Sequence, residues 1–310
     1  MKNNDFLTTI LNHMFEYDKP TFFFLSKDQI FGENKLDIIK NYGTKCVITD
    51  FSILLGGIKI VSESDFVNDG KCLENRYGKW WTKTISQYCD VVIVGTDGKL
   101  YEENPASRNV GARPAIDLNF IPKYVRREIK NVNGNKEVDY KEFPQTIVDI
   151  NLSYKLEKMY NTNNLETTGK YYTTDSAISW LDIGTGFKTR TFKEYRYKGN
   201  KYIRLVSDCF NCYGKVLSDG RKVVANQTYW IKVEPITWLI DEVANIALSK
   251  KIIFSGIQFL HHNPFKYRNM YFSETDIKKY IDSYFLEEIN PIEKKSKSKI
   301  KKLKIKTSTF

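Results

Sequence analysis

Apolar positions along this chain recur in two periods, and the changes of period mark its elements. Between residues 4 and 17, Phe6, Leu7, Ile10, Leu11, Met14 and Phe15 fall at three- and four-residue spacing. That spacing predicts an amphipathic helix, ended by Asp18-Lys19-Pro20. Residues 21–25 read as a short aromatic strand. Ser26 with Gln29 is a capping-box pattern and predicts a helix running to Tyr42-Gly43, where glycine suits a helix end. Residues 45–55 are β-branched and apolar and read as a strand. Residues 56–79 are Gly- and Asp-rich and irregular. Two apolar runs, 91–94 and 100–101, then flank Asp97-Gly98 and predict a hairpin. Residues 111–118 read as a further strand, and the polar, charged stretch 119–137 as a linker.

The second half opens with 138–150, followed by a short helix over 152–160 with Leu152, Leu156 and Met159 on one face. A hairpin is predicted over 195–206 around Gly199-Asn200. Residues 228–241 form a long apolar strand that turns at 242–245 into 246–254. Ser273 opens a helix whose inward positions are Ile277, Tyr280, Ile281, Tyr284 and Phe285. Asp276 lies in its first turn, where the helix dipole favours a carboxylate, and the helix ends before Pro291. Helices and strands follow no βαβ rhythm, so the expected class is α+β, with antiparallel hairpins and flanking helices. No fixed-period repeat appears.

Composition adds limits. With 310 residues, 41% hydrophobic and 14% aromatic, the chain is long enough for one or two domains with a sizeable core. The net charge of +11 is uneven, because residues 291–310 hold eight Lys and one Glu. That tail reads as a solvated, disordered terminus, or as a basic arm that contacts nucleic acid through 294–306. Five cysteines are too few and too odd in number for a disulfide framework. No signal-peptide pattern opens the chain, and no apolar run reaches the roughly 18 residues of a membrane span. The expectation is a soluble protein without membrane insertion, cytoplasmic or phage-associated.

The residues of catalysis are sparse. Histidine occurs three times, and neither a Gly-x-Ser-x-Gly elbow nor a phosphate-binding Gly-rich loop is present. Cys209 and Cys212 form a Cys-x-x-Cys, but Cys72 and Cys89 do not complete a diagnostic zinc spacing. Asp65, Asp69 and Glu74 offer oxygen ligands of the kind Ca²⁺ takes, without a calcium-loop register. No cofactor or metal is assigned, and the chain is expected not to be an enzyme. The aromatic stretch from Tyr77 to Tyr101 is the leading binding candidate: rigid rings alternate there with adaptable polar groups, as in paratopes. Adjacent strand residues point to opposite faces, so one of Trp80 and Trp81 is expected in the core and the other at the surface. Arg113, between Ala112 and Pro114, reads as a buried, paired arginine that ties loops together.

These same residues carry a resemblance. Trp80-Trp81-Thr82-Lys83-Thr84, followed by Gly111-Ala112-Arg113-Pro114-Ala115-Ile116, resembles the end of a bacterial domain of unknown function. That domain typically reads Trp-Trp-x-Arg-Ser, a hairpin, then Gly-x-Arg-Pro-Ala-Leu. It is related in fold to formylglycine-generating enzymes and to the C-type-lectin-like variable proteins of diversity-generating retroelements. Phe22-Phe23-Phe24-Leu25-Ser26 and Thr49-Asp50-Phe51 resemble further parts of the same domain. Residues 140–146, 234–241, 247–252 and the 273–285 helix resemble its beginning. The family's tail therefore comes first here, over 20–118, and its head second, over 138–290. A circularly permuted single domain would place the strand near 113–118 beside the 229–239 hairpin; two incomplete copies would place the halves in separate bodies.

The resemblance implies a C-type-lectin-like scaffold without the formylglycine-generating active site. Its implied function is non-enzymatic binding of a protein or glycan through the 77–109 loops and hairpin. The contact residues would be Trp80, Trp81, Lys83, Tyr88, Tyr101, Asn104, Ser107 and Asn109. Gly111, Arg113, Pro114 and Trp238 would be frame. The alternatives are a nucleic-acid-associated protein using the Lys-rich tail, and an enzyme of unrecognised type.

Overall fold

A computed structural model describes residues 22–57, 77–86, 90–107, 109–173, 191–207, 215–224, 226–260 and 272–285. In chain order its strands are β1 (Phe22–Phe23), β2 (Cys46–Val47), β3 (Tyr77–Gly78), β4 (Trp80–Ile85), β5 (Val91–Val94), β6 (Leu100–Glu103), β7 (Ala115–Asp117), β8 (Lys130–Val132), β9 (Asn135–Ile147), β10 (Glu166–Thr173), β11 (Thr191–Tyr197), β12 (Asn200–Val206), β13 (Thr228–Asp241) and β14 (Ile246–Ser249). Its α-helices are α1 (Lys27–Phe31), α2 (Asp37–Tyr42), α3 (Asp50–Leu54), α4 (Lys123–Arg126), α5 (Ile150–Asn161) and α6 (Asp276–Phe285). The class is α+β with antiparallel sheets. Among the described residues, no helix is long and apolar enough to cross a membrane.

The apolar run 228–241 organises the architecture. Most of its side chains are buried, as suits a strand covered on both faces. β13 pairs with β12 along its first half, with β14 at its end, and with β9 from Ile231 to Leu239. The large sheet runs β1-β7-β14-β13-β12-β11-β10, with β9 and β8 branching from β13. The β9–β13 register shifts near Pro144 and near Pro235, where missing N–H groups cannot serve the ladder. Gln145 repairs one gap: its Nε2 donates to the carbonyls of Glu234 and Pro235 at 3.0 and 2.7 Å.

Strand β7 pairs with β14, and β1 pairs with β7. Strands from both halves of the chain therefore share one sheet. The 115–117 strand lies beside the returning arm of the 228–249 hairpin, one strand away from 229–239 itself. One large core cluster includes Phe22, Trp80, Trp81, Phe143, Trp238 and Phe254. A smaller cluster of Val148, Leu156, Tyr195, Tyr202 and Trp230 lies under α5.

Several expected elements take a different form. The capping box at Ser26 and Gln29 is present, but the helix breaks at Gly32 and restarts as α2. The intervening Glu33, Asn34 and Lys35 offer no apolar position to continue the buried stripe. Residues 45–55 are a strand only at Cys46–Val47. Thr49 then caps α3, its hydroxyl accepting from the Ser52 amide at 3.2 Å. The 119–137 linker is ordered, holding α4, β8 and the start of β9. The 195–206 hairpin turns at Lys198-Gly199, both with positive φ (47° and 76°), the signature of a two-residue primed turn. Thr275 rather than Ser273 caps α6, accepting from the Lys278 amide at 3.3 Å. On α6, Ile277, Tyr280 and Ile281 are buried. The 4–17 helix, the 291–310 tail, Asp65, Asp69, Glu74, all cysteines except Cys46, and all three histidines lie outside the described residues.

Candidate functional site

The segment from Gly111 to Pro114 joins the small β4-β5-β6 sheet to the large one. The Gly111 amide donates to the Lys79 carbonyl at 2.9 Å, and its carbonyl accepts from the Trp81 amide at 3.0 Å. Ala112 exchanges backbone bonds with Phe254 and Ile253, and the Pro114 carbonyl accepts from the Ser249 amide at 2.9 Å. Side-chain room at Gly111 is absent: a Cβ there would lie 2.2 Å from Cγ2 of Ile252. Gly111→Ala is therefore expected to destabilise the fold by about 1–3 kcal/mol. Urea denaturation checks this, and an unchanged midpoint would show that Ile252 yields without strain.

Both tryptophans belong to this frame. Trp80 and Trp81 are each 0% exposed, so the expectation that one of them contacts ligand at the surface is corrected. They do point to opposite faces of β4, but both faces are covered. Trp80 donates from Nε1 to the Thr44 carbonyl at 3.2 Å and lies 5.0 Å from the Arg113 guanidinium. Trp81 packs on Phe259 with ring centroids 5.3 Å apart, and its Nε1 has no hydrogen-bond partner among the described residues. Trp238 is equally buried and donates to the Tyr140 carbonyl at 2.8 Å.

Arg113 is buried, as expected, but its pairing is not ionic. Nε donates to the Ser249 carbonyl at 3.0 Å, and Nη1 has no partner among the described residues. Burial pushes its pKa down, against a smaller opposite effect from Cys46. The Cys46 thiol, also buried, is pushed up by desolvation, which Arg113 opposes in part.

The surface residues are held in place by neighbours. Tyr101, about half exposed, stands on β6, which among the described residues pairs with β5 alone. Its hydroxyl donates to Oδ2 of Asp97 at 2.8 Å; that bond raises the phenol's pKa. Asp97 is held below the usual carboxylate range, first by the Lys99 amide. Asn104 closes a turn by accepting from the Ala106 amide at 2.8 Å, and Ser107 donates to Asn109 at 2.7 Å. Residues 105 and 106 are tied to the body: the Leu260 amide and the Gln258 side chain donate to their carbonyls at 3.0 and 2.9 Å.

Lys83 stands apart from this group. Its Nζ lies 5.6 Å from the Phe23 ring centre, and partial burial lowers its pKa. Next to it in the chain, Thr84 lines a shallow groove of about 350 Å³ with Ser26, Lys27, Asp28, Phe31 and Gly32. Tyr88 lies outside the described residues. Tyr101 on β6, with Asn104, Ser107 and Asn109 in the loop that follows it, thus forms the candidate rim, while the tryptophans are withdrawn into the core and Lys83 lies on β4.

Comparison with protein-family models, curated proteins and solved structures finds no match. Among the described residues, no group of three His, Cys, Asp or Glu side chains is placed to hold a metal ion. Sequence reasoning also missed an aromatic cluster around Trp230, built from Tyr160, Tyr195 and Arg204.

Proposed function

We propose that this chain is a non-enzymatic binding protein on a C-type-lectin-like scaffold, recognising a protein or glycan through β6 and the 104–109 loop. The observation that carries this reading is the contrast between frame and rim. Four large side chains, Trp80, Trp81, Trp238 and Arg113, are buried in the frame. Tyr101 and Asn104, by contrast, are exposed yet tied down by hydrogen bonds. A rim already ordered before binding loses little conformational entropy on contact, and Tyr and Asn combine contact area with adaptable hydrogen bonding. Asp97 and Glu102 add acidic character, which favours ligands with hydroxyl or cationic groups. The scaffold assignment draws support from the shared sheet, in which β7 and β1 extend the 228–249 hairpin, as permuted halves of one domain would.

The test is a glycan array and a displayed-peptide library, probed with the full chain and with the Tyr101→Ala/Asn104→Ala double variant. Both substitutions are on exposed residues, so an unchanged circular dichroism spectrum is expected. A saturable ligand that the variant binds at least tenfold more weakly supports the reading. Ligands found by the wild type but bound equally by the variant would overturn it, as would no saturable ligand in either library.

A further inference from the structure

Trp230 centres a second aromatic cluster, on the sheet face that α5 covers. Its ring lies 5.7 Å from Tyr195 and 6.1 Å from Tyr160, which stand 5.8 Å from each other, all three pairs edge-on. Glu157 of α5 accepts from Nε1 of Trp230 at 2.9 Å and from Nε and Nη2 of Arg204 at 3.1 and 2.8 Å. The Arg204 guanidinium lies 4.5 Å from the Tyr160 ring centre. Hydrogen bonding from Arg204 holds Glu157 below the usual carboxylate range. The charges inside the cluster are thereby matched.

Outside the cluster they are not. Residues 150–173 and 191–206 contain eight Lys or Arg against three Glu. Glu157 is bonded to Arg204. Glu194 is buried and accepts from Tyr172 and Thr168. Only Glu166 remains, 3.7 Å from Arg196. Among the described residues, Lys155, Lys158, Lys193 and Lys198 have no carboxylate partner. Tyrosine rings stand beside these lysines. Tyr171, half exposed, is opposite Lys193 in the β10–β11 register. Tyr197 lies between Lys155 and Lys198, whose Nζ atoms are 5.7 and 5.8 Å from its ring centre. Tyr154, 75% exposed, precedes Lys155 on α5.

Unmatched lysines alone would suit any polyanion. Rings among them, Tyr171 half exposed and Tyr197 partly buried against the Trp230 cluster, suit a polyanion that also offers flat faces for stacking. We propose that this face of α5, β10 and β11 binds single-stranded nucleic acid, with phosphates along Lys155, Lys158, Lys193 and Lys198 and bases stacked on Tyr171 and Tyr197. From Lys193, beside Tyr171, to Tyr197 the strand rises about 13 Å, so the two rings sit at opposite ends of a strip. Single strands are bound in this way, by aromatic platforms along a basic track. A duplex would need an element that enters a groove, whereas α5 lies flat on the sheet through the buried Leu156. The proposal is independent of the 104–109 rim and of the Lys-rich tail.

The experiment uses the full chain and fluorescein-labelled 15-mers of oligothymidylate and oligouridylate, read by fluorescence anisotropy over a salt series. The expected result is saturable binding that weakens steeply with salt and is displaced at least tenfold less well by duplex of equal length. Tyr171→Ala, at a half-exposed site, should fold normally and weaken binding by roughly tenfold, within the range for one stacked base. The Lys155→Glu/Lys193→Glu/Lys198→Glu triple variant, with the tail intact, should weaken it further. Absence of binding would overturn the proposal, as would a triple variant that binds normally, because the tail would then be the site. A loss on charge reversal with no loss in Tyr171→Ala, or equal competition by duplex, would overturn it in favour of a generic polyanion surface such as one for an acidic protein.

Discussion

Asp50→Ala is expected to cost about 3–5 kcal/mol of stability, seen as a fall of roughly 10 °C in Tm. Asp50 is 1% exposed at the start of α3. Its Oδ1 accepts from the Ser218 amide at 2.7 Å, and its Oδ2 from the Ile147 amide at 2.9 Å and from the Ser218 hydroxyl. One carboxylate thus satisfies donors from the end of β9 and from the 215–224 segment, both far along the chain. Alanine would leave the buried Ile147 N–H and the partly buried Ser218 N–H without their acceptor, at about 1–3 kcal/mol for a buried group. Asp50→Asn should recover little, because one of its two positions becomes an amide donor facing another donor. A double-mutant cycle with Ser218→Ala separates the hydroxyl's share, and coupling of at least 1 kcal/mol is expected for groups in direct contact. A midpoint for Asp50→Ala within 1 kcal/mol of wild type would show that water replaces the carboxylate.

Asp50 also marks the limit of what the chain pattern reveals. Residues 228–241 were legible as a strand because an apolar run of that length fits a central strand. The 91–103 hairpin was legible because Asp97-Gly98 is turn chemistry. The first turn of α1 was legible because Ser26 and Gln29 satisfy each other locally. Each of these depends on residues close together in sequence. Residues 45–55 misled for the opposite reason. Phe51, Ile53 and Leu54 are all buried, so no periodicity survives to separate helix from strand, and only the Thr49 cap decides. The site followed the same division. That adjacent Trp80 and Trp81 face opposite ways was readable from strand geometry; that Thr44 and Phe259 cover both faces was not. The Trp230 cluster is assembled from α5, β11, β12 and β13, and no local pattern links their aromatic positions. Tyr101 and Asn104 were legible as exposed aromatic and polar groups, because they follow a strong hairpin signal; that Ser107 and Asn109 are half-buried was not.

Arg113 gives the second large effect, and its two replacements should separate charge from packing. Arg113→Ala is expected to lose about 2–5 kcal/mol, the range for truncating a large buried side chain. The loss combines the void over Trp80, the bond to the Ser249 carbonyl and the stacked stem. An arginine paired to a carboxylate would lose that much for another reason, because truncation would strand a buried negative charge. No carboxylate faces Arg113 among the described residues. Its surroundings are a carbonyl, an indole face and the Cys46 thiol, and burial pushes its own pKa down. The charge is therefore a cost that packing offsets. Arg113→Met keeps most of the volume and removes that cost, so its stability should lie within about 1.5 kcal/mol of wild type or above it. Chemical denaturation of both variants decides the matter. Equal, large losses for Ala and Met would mean that the positive charge itself is needed, and Cys46→Ser in the same background would then test whether a Cys46 thiolate is what it balances.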